Sequence, residues 1–246
     1  MSGKLTGKIA VVTGGSAGIG LAAAKRFAQE GARVFITGRD RTKLDRAVTE
    51  IGRGAIGVQG DASNLADVDG IYATIKESAG HIDVLFVNAG FYEFGKLGGI
   101  TEEHFDKTFD INVRGLLFAV QKALPLLSQG ASVILTGSIA SIKGLEALSV
   151  YAASKAAVRS FARSWMMELK ARGIRINVLS PGYTDTPGLS GLVDDAQKAG
   201  AASSVPLGRL GTPDDMAKVA MFLASDDSSS YVNGVELFAD GGVAQY

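Results

Sequence analysis

Cysteine is absent from the 246-residue sequence, and histidine occurs only at His81 and His104. Without cysteine the protein has no disulfide, no thiolate metal site and no cysteine nucleophile, which suits a reducing compartment. Two histidines are too few for a histidine-rich metal cluster, and a Ser-His-Asp triad would need one of them. We therefore expect no bound metal ion.

The sequence also lacks an excess of charge of one sign and any long hydrophobic run. Its 25 lysines and arginines balance its 25 aspartates and glutamates, whereas nucleic-acid or membrane binders usually carry a basic excess. No stretch approaches the roughly 18 apolar residues of a membrane span, and the N-terminal segment has no apolar signal-peptide core. We predict a cytoplasmic protein whose partners are neither nucleic acid nor membrane.

Short apolar runs alternate with longer amphipathic stretches along the chain. The predicted strands are Ile9–Thr13, Arg33–Thr37, Ala55–Gln59, Val84–Asn88, Ser132–Thr136, Ile174–Leu179 and Val235–Phe238. The predicted helices are Ile19–Glu30, Arg41–Ile51, Leu65–Ser78, Glu102–Leu127, Val150–Arg172 and Asp214–Ala224. This alternation predicts an α/β fold: a single doubly wound Rossmann domain over residues 1–246, with a seven-stranded parallel sheet flanked by helices on both faces.

One segment departs from the alternation. Tyr183–Leu207 follows a predicted strand and is rich in glycine, alanine, serine and aspartate. We expect it to form a mobile excursion over the functional site, with a short helix near Asp194–Ala199.

Glycine is abundant, with 32 of the 246 residues (about 13%) where about 7% is usual. Three glycines, Gly14, Gly18 and Gly20, lie with Ser16 and Ile19 in the turn between the first strand and the first helix. Free backbone N–H groups at such a helix N-terminus bind a pyrophosphate. A plain tight turn is the alternative, but the position after the first strand of a repeated strand–helix chain favours a dinucleotide site.

The end of the second strand bears on which dinucleotide binds. Arg39 would pair with the 2′-phosphate of NADP(H), whereas Asp40 would bind the ribose of NAD(H) if the register slipped by one or two residues. We favour NADP(H). Asp61 and Ala62 follow the third strand, where the Asp61 carboxylate could bind the adenine or cap a helix, and the two roles are compatible.

Tyr151 and Lys155 are candidates for acid–base chemistry. Their spacing places both side chains on one face of a predicted helix, where a lysine ammonium would lower the pKa of the phenol. The same spacing is common on solvated helix faces. The neighbouring sequence favours a catalytic role for the pair, because Ser138 follows the strand Ser132–Thr136 at the sheet edge where ligands bind.

A set of motifs spread along the whole chain carries a family resemblance. The set consists of Thr13-Gly14-x-x-x-Gly18-Ile19-Gly20, Asn88-Ala89-Gly90, Asn112, Ser138, Tyr151-x-x-x-Lys155, Pro181-Gly182 and Asp240-Gly241-Gly242. Together they resemble the short-chain dehydrogenase/reductases, and most of all the bacterial NADP-dependent alcohol dehydrogenases, or ketone reductases.

The resemblance implies a role for each catalytic candidate. Tyr151 would donate a proton to a substrate carbonyl or remove one from an alcohol, and Lys155 would lower the pKa of Tyr151 and bind the nicotinamide ribose. Ser138 would orient the carbonyl. Asn112 would hold a water in a proton relay that reaches Lys155, and the alternative, a residue at a helix kink, is compatible with that role. Further implied cofactor residues are Asn88, Ala89, Gly90, Pro181, Gly182, Thr184 and Thr186.

The substrate is expected between Ser138, Tyr151 and the excursion. Candidate lining residues are Ile139, Leu145, Tyr183, Leu189 and Leu192, with Phe91 and Tyr92 in addition. Most of them are apolar, so we predict a hydrophobic ketone or secondary alcohol, although several could be ordinary core residues. Glu146 is a rim residue or, alternatively, selects an amine-bearing substrate.

Other functions of the same fold remain open. A sugar or steroid dehydrogenase, a 3-oxoacyl reductase and a non-catalytic NADP(H)-binding sensor are the alternatives. The neutral segment Leu127–Gly130 argues against an acidic acyl carrier protein as partner. The resemblance also implies a homotetramer, assembled through the predicted helices Glu102–Leu127 and Val150–Arg172.

Overall fold

The computed structural model of the protein describes residues 3–191 and 193–245. A seven-stranded parallel sheet has the order β3-β2-β1-β4-β5-β6-β7. Its strands are β1 (Ile9–Thr13), β2 (Arg33–Gly38), β3 (Ile56–Gln59), β4 (Ile82–Val87), β5 (Leu127–Thr136), β6 (Arg175–Pro181) and β7 (Glu236–Ala239). The predicted α/β fold class is confirmed.

Helices cover both faces of the sheet. They are α1 (Gly18–Gln29), α2 (Arg41–Ile51), α3 (Leu65–Ala79), α4 (Glu102–Phe109), α5 (Leu116–Ala123), α6 (Ser149–Glu168), α7 (Pro187–Ser190), α8 (Asp195–Ser203), α9 (Pro213–Ala224) and α10 (Asp226–Ser229). Short 3₁₀ turns occur at Ile139–Ser141, Lys170–Arg172 and Val243–Gln245. Within the described residues, no helix combines the length and apolar character needed to cross a membrane.

Successive residues of the central strands pack into two separate cores. Val11 and Leu85 face the core formed with α3, α5 and α6, and their neighbours Val12 and Phe86 face the core formed with α1, α2 and α9. Because both sheet faces are buried, the strands read as continuous apolar runs rather than as alternating patterns.

The predicted single helix Glu102–Leu127 is wrong in two places. A π-helical turn, Asp110–Gly115, separates α4 from α5. The helix also ends early, because Leu127 begins β5 and pairs with Ile82 before the register of β4 and β5 shifts. The predicted helix runs past Pro125, which lies two residues beyond the end of α5 and cannot continue a helix.

Parallel strands bring their carboxyl ends to one edge of the sheet, where ligands of such folds bind. The turns after β1, β4, β5 and β6 all open at this edge. The expected excursion carries α7 and α8, and Asp194 and Gln197 form a reciprocal capping box at the start of α8. The short helix predicted near Asp194–Ala199 is thus confirmed and extends to Ser203.

Candidate active site

Tyr151 and Lys155 lie one turn apart on α6, on the same side of the helix. Lys155 Nζ is 5.6 Å from the centroid of the Tyr151 ring. The lysine side chain is buried, and its Nζ donates a hydrogen bond to the backbone oxygen of Thr136 at 2.8 Å. The predicted shared face is therefore observed, and α6 holds the lysine against the end of β5.

Ser138 lies two residues beyond β5, and its side chain is near enough to the Tyr151 phenol to act on the pKa of that group. It begins the 3₁₀ turn Ile139–Ser141, in which Ala140 N donates to Ser138 Oγ at 3.2 Å. Three of the four candidate catalytic residues, Ser138, Tyr151 and Lys155, thus come together at the carboxyl edge of the sheet.

Burial dominates the protonation of these groups. It raises the pKa of Tyr151 to about 12, although the hydrogen bond from Ser138 acts in the lowering direction and Tyr92 in the raising direction. Burial also lowers the pKa of Lys155 to about 8. The expected lowering of the Tyr151 pKa is not observed in the chain, because desolvation of the phenol outweighs its neighbours. The neutral phenol is the form that donates a proton.

Asn112 lies in the π-helical turn and is fully buried. Its Nδ2 donates to Phe91 O at 2.7 Å and to Ser154 Oγ at 3.0 Å, and its Oδ1 accepts from Phe91 N at 2.8 Å. A β-carbon added at Gly90 would lie 3.5 Å from Asn112 Oδ1 and 3.6 Å from Lys155 Nζ. Asn112 therefore joins the irregular turn to the loop after β4, and it borders the same gap as Lys155. Its part in a water relay stays a prediction.

The glycine turn after β1 has the geometry of an anion-binding loop. Gly14 and Gly18 have positive φ angles of 64° and 54°, which favour glycine. A β-carbon at Gly20 would lie 2.3 Å from the backbone oxygen of Gly14. Among the described residues, no side chain caps α1 at Ala17. The N–H groups at the start of α1 are therefore open to a pyrophosphate.

The loop after β4 supports this turn from the side. Thr13 Oγ1 accepts hydrogen bonds from Asn88 N at 3.0 Å and from Ala89 N at 3.1 Å. The Asn88 amide donates in return to the backbone oxygens of Thr13 and Gly14. The predicted Asn88-Ala89-Gly90 segment thus contacts the glycine turn directly, and the Thr13 hydroxyl holds it there by accepting two of its backbone hydrogen bonds.

The end of β2 presents an exposed cation near the glycine turn. The Arg39 side chain is 69% exposed, and its Nη1 lies 3.7 Å from Asp61 Oδ2. A β-carbon at Gly38 would lie 3.0 Å from Ser16 Oγ, so Ser16 adjoins the same strand end. Asp40 is engaged elsewhere, because its carboxylate caps α2 by accepting from Lys43 N.

Asp61 has a structural setting of its own. Burial would raise its pKa, but hydrogen bonds from the backbone and hydroxyl of Ser63 and the charge of Arg39 hold that pKa below its usual value. The alternative role of Asp61 as a helix cap is wrong, since Asn64 caps α3. Ala62 adjoins the π-helical turn, because a β-carbon at Gly115 would lie 2.6 Å from its backbone oxygen.

Two adjoining cavities meet at Tyr151. The first is a cleft of about 240 Å³ that extends from Gly18 and Asn88 to Lys155. The absence of β-carbons at Gly18 and Gly90 leaves room along it, and the donors of the glycine turn suit a dinucleotide. The residues present therefore fit the nicotinamide cofactor that the motifs imply.

The second cavity, of about 400 Å³, lies between Ser138 and residues 185–203, which carry α7 and α8 and are called the α7–α8 segment below. Four of the predicted lining residues, Ile139, Leu145, Tyr183 and Leu189, border it together with Tyr92. Leu192 lies outside the described residues. Phe91 borders the smaller cleft instead, where Lys107 Nζ is 4.4 Å from its ring. Further lining residues that the sequence did not indicate are Phe94, Leu148, Val193, Gln197, Lys198 and Ala201.

The loop after β6 provides the boundary between the two cavities. Pro181, Gly182 and Thr184 line the larger cavity, and Thr186 borders both. Thr184 donates to Gly182 O at 3.1 Å, and Thr186 caps α7 by accepting from Leu189 N. Their contact with the nicotinamide stays a prediction.

Charged side chains lie at the mouth of the larger cavity and are paired. Glu146 has an 82% exposed side chain and contacts Lys96 Nζ at 2.9 Å. Lys198 contacts Asp185 at 3.0 Å. Glu146 therefore lies at the rim, where a lysine of the same chain matches its charge, and selection of an amine-bearing substrate stays the alternative prediction.

Comparison with known proteins agrees with this geometry. A family model described as enoyl-(acyl carrier protein) reductase matches residues 14–244. The oxidoreductase asL5 of Sarocladium schorii is 47% identical over 244 residues, which cover 98% of both chains. The NADP-dependent (R)-specific alcohol dehydrogenase of Lentilactobacillus kefiri is 36% identical over 253 residues, again 98% of both chains.

A solved structure of a short chain dehydrogenase/reductase family protein superposes with a TM-score of 0.89. It is 39% identical, and the match covers 99% of this chain and 100% of the other. The chain belongs to the short-chain dehydrogenase/reductase family. It is an oxidoreductase of a family that binds a nicotinamide cofactor.

Proposed function

We propose that the protein interconverts ketones and secondary alcohols with NADP(H), and that Tyr151 is the general acid–base. The observation that carries this proposal is the meeting of Ser138, Tyr151 and buried Lys155 at the junction of the cleft and the apolar cavity. The nicotinamide, when bound, supplies the hydride for reduction and accepts it in oxidation.

The side chains handle the proton and the carbonyl. In reduction, the neutral Tyr151 phenol donates its proton to the carbonyl oxygen, while the Ser138 hydroxyl donates a hydrogen bond to that oxygen. The positive charge of Lys155 then stabilises the phenolate that forms beside it. Asn112 holds the loop after β4 against α6 and, in this proposal, positions a water that returns a proton toward Lys155.

The preference for NADP(H) rests on the end of β2. Arg39 is exposed there with Ser16 beside it, whereas Asp40 is occupied as the cap of α2. A guanidinium pairs with a phosphate through charge-assisted hydrogen bonds. The NADP-dependent relative from Lentilactobacillus kefiri is consistent with this preference.

The cavity supports an uncharged, largely apolar substrate. Its lining is mostly aliphatic and aromatic, and its two ionic lining residues are each paired, Glu146 with Lys96 and Lys198 with Asp185. We propose that the α7–α8 segment opens to admit this substrate and closes over it. The alternatives are a sugar, steroid or 3-oxoacyl substrate and a non-catalytic sensor. The 3-oxoacyl alternative is supported by the description of the family model as an enoyl-(acyl carrier protein) reductase.

We also propose a cytoplasmic homotetramer. Exposed apolar side chains lie on the two helical segments that the family resemblance implicates, Phe105 on α4 and Met167 on α6. The absence of cysteine suits a reducing compartment.

Initial rates of NADPH oxidation, with NADH in parallel, test this function against aryl, alkyl, cyclic, keto-ester and sugar carbonyls. The proposal predicts turnover of at least one apolar ketone, faster with NADPH than with NADH at equal concentration. Tight NADPH binding without turnover of any carbonyl would contradict it and favour the sensor.

A further inference from the structure

A buried carboxylate connects four elements around the active site. Glu236 lies on β7, and its side chain is 8% exposed. Its Oε1 accepts hydrogen bonds from Ser141 Oγ at 2.6 Å and from Ser180 Oγ at 2.7 Å, and its Oε2 lies 3.1 Å from Arg159 Nε. We call Glu236, Ser141, Ser180 and Arg159 the Glu236 network.

Each partner of the carboxylate adjoins a residue of the proposed machinery. Ser141 closes the 3₁₀ turn after Ser138, and its backbone N donates to Ser138 O at 2.9 Å. Ser180 immediately precedes Pro181, which lines the substrate cavity. The network therefore contacts the C-terminal end of the turn that begins at Ser138.

The fourth member connects this turn to the catalytic helix. Arg159 lies on α6 four residues after Lys155 and eight after Tyr151, so it follows them along the same side of the helix. Its ion pair with Glu236 joins α6 to β7. One carboxylate thus contacts both the turn that begins at Ser138 and the helix that carries Tyr151.

The cost of burying this carboxylate argues that its position matters. An ionised carboxylate in a protein interior is unfavourable unless hydrogen bonds and an opposite charge compensate it. Both oxygens of Glu236 are compensated here, one by two hydroxyls and the other by a guanidinium. Such a fully satisfied network is rigid, which is what an active site needs from its supporting residues.

We propose that Glu236 is a positioning residue that holds Ser138 in hydrogen-bonding contact with Tyr151 during proton transfer. This inference rests on the proposed function, because it gives Glu236 a part in the same reaction. Since the hydrogen bond from Ser138 favours the ionised phenol, loosening the turn would leave Tyr151 harder to ionise.

The variant Ser141→Ala tests the link most selectively, because it removes one hydroxyl and leaves Glu236, Ser180 and Arg159 in place. A small displacement of a catalytic group costs rate, so we expect kcat for ketone reduction to fall about tenfold. The KM for the ketone and the Kd for NADPH should stay within about twofold, since the cavity and the cleft keep their linings. The pH profile of alcohol oxidation should move to higher pH.

Two further variants separate positioning from stability. Glu236→Gln keeps an acceptor for both serines and should retain more activity than Glu236→Ala. Asp226→Ala removes the 3.0 Å ion pair with buried Arg175 in another part of the molecule. It should lower Tm while leaving kcat and the pH profile unchanged. Wild-type kcat and an unshifted profile in Ser141→Ala would overturn the inference.

Crystal structures of the wild type and of Ser141→Ala distinguish failure of this inference from failure of the proposed function. The inference predicts a longer separation between Ser138 Oγ and the Tyr151 phenol oxygen in the variant. An unmoved Ser138 turn overturns it even if the wild type reduces ketones. If no carbonyl is reduced by the wild type, the proposed function fails, while the structural comparison still decides the role of Glu236.

Discussion

The strand-end edge and the α7–α8 segment form opposite sides of the same site but are held in different ways. At the strand-end edge, hydrogen bonds join residues far apart in sequence, as between Thr13 and Asn88. In the α7–α8 segment the polar contacts are local, as between Asp194 and Gln197, and none of the described residues of α7 and α8 is buried. The proposed chemistry thus belongs to a region fixed by packing, and the proposed substrate selection to a segment that can change without disturbing that packing.

Among the variants of the strand-end edge, Gly20→Ala should weaken cofactor binding most. The new β-carbon would lie 2.3 Å from Gly14 O and 2.6 Å from Asn88 Nδ2, so the glycine turn must deform. We expect the Kd for NADPH, measured by calorimetric titration, to rise by about 100-fold, the upper end of overpacking costs. The control is Gly70→Ala on α3, where nothing lies within 4 Å. It should bind NADPH normally; an equal loss of affinity in both variants would contradict the account.

Arg39→Ala tests the exposed end of β2, beside the glycine turn. Removing a charge-assisted hydrogen bond to a phosphate costs about 1.5–3 kcal/mol, so the KM for NADPH should rise about 10- to 100-fold while that for NADH changes little. Arg41 is the matched control, because it is exposed nearby but pairs with Asp45 on α2. A loss of NADPH preference in Arg41→Ala and not in Arg39→Ala would remove Arg39 from the phosphate site.

The buried groups of the fixed region should also determine the pH dependence. Lys155 loses its charge as pH rises through a pKa of about 8, whereas Tyr151, with a pKa of about 12, stays protonated throughout that range. Ketone reduction should therefore decline above about pH 8 because the phenolate loses its stabilising cation, and not because the proton donor is lost. The pH profile of the low residual rate of Lys155→Met should lack the inflection near pH 8. Its persistence there would assign it to another group.

The smallest effect is expected in the α7–α8 segment. Asp185 accepts hydrogen bonds from Lys198 and Ser190, and those contacts lower its pKa. Because the ion pair is exposed, Asp185→Asn should raise the KM for the ketone only about two- to threefold and leave NADPH binding unchanged. Asp214→Asn, which removes an exposed pair with Lys218 on α9, is the control. A loss of kcat as large as that of an edge variant would contradict the division between the two regions.

The sequence predicted the strand-end edge well for a physical reason. Buried parallel strands leave apolar runs that stand out, and the residues at their ends carry the chemistry, so Ser138 and the Tyr151–Lys155 pair are visible as local patterns. The α7–α8 side was predicted less completely. Phe94, Val193 and Lys198 reach the cavity only because loops and helices fold over it, and no spacing marks them.

Long-range contacts account for the other differences. The π-helical turn at Asn112 depends on hydrogen bonds to Phe91, which lies 21 residues away, and the Glu236 network joins residues up to 95 positions apart. The direction of the Tyr151 pKa shift was likewise set by burial, which a helical spacing does not report. Local sequence patterns therefore located the reactive groups, whereas their electrostatic environment could be described only from the packed structure.

Tyr151 is proposed to transfer the proton within a site whose cofactor cleft does not depend on the Tyr151 hydroxyl. The direct measurement is the turnover of the best ketone by Tyr151→Phe together with its Kd for NADPH. The account predicts a rate lower by about 100- to 10,000-fold, the usual contribution of a general acid, with an unchanged Kd. Turnover within about tenfold of the wild type, at normal NADPH affinity, would contradict it.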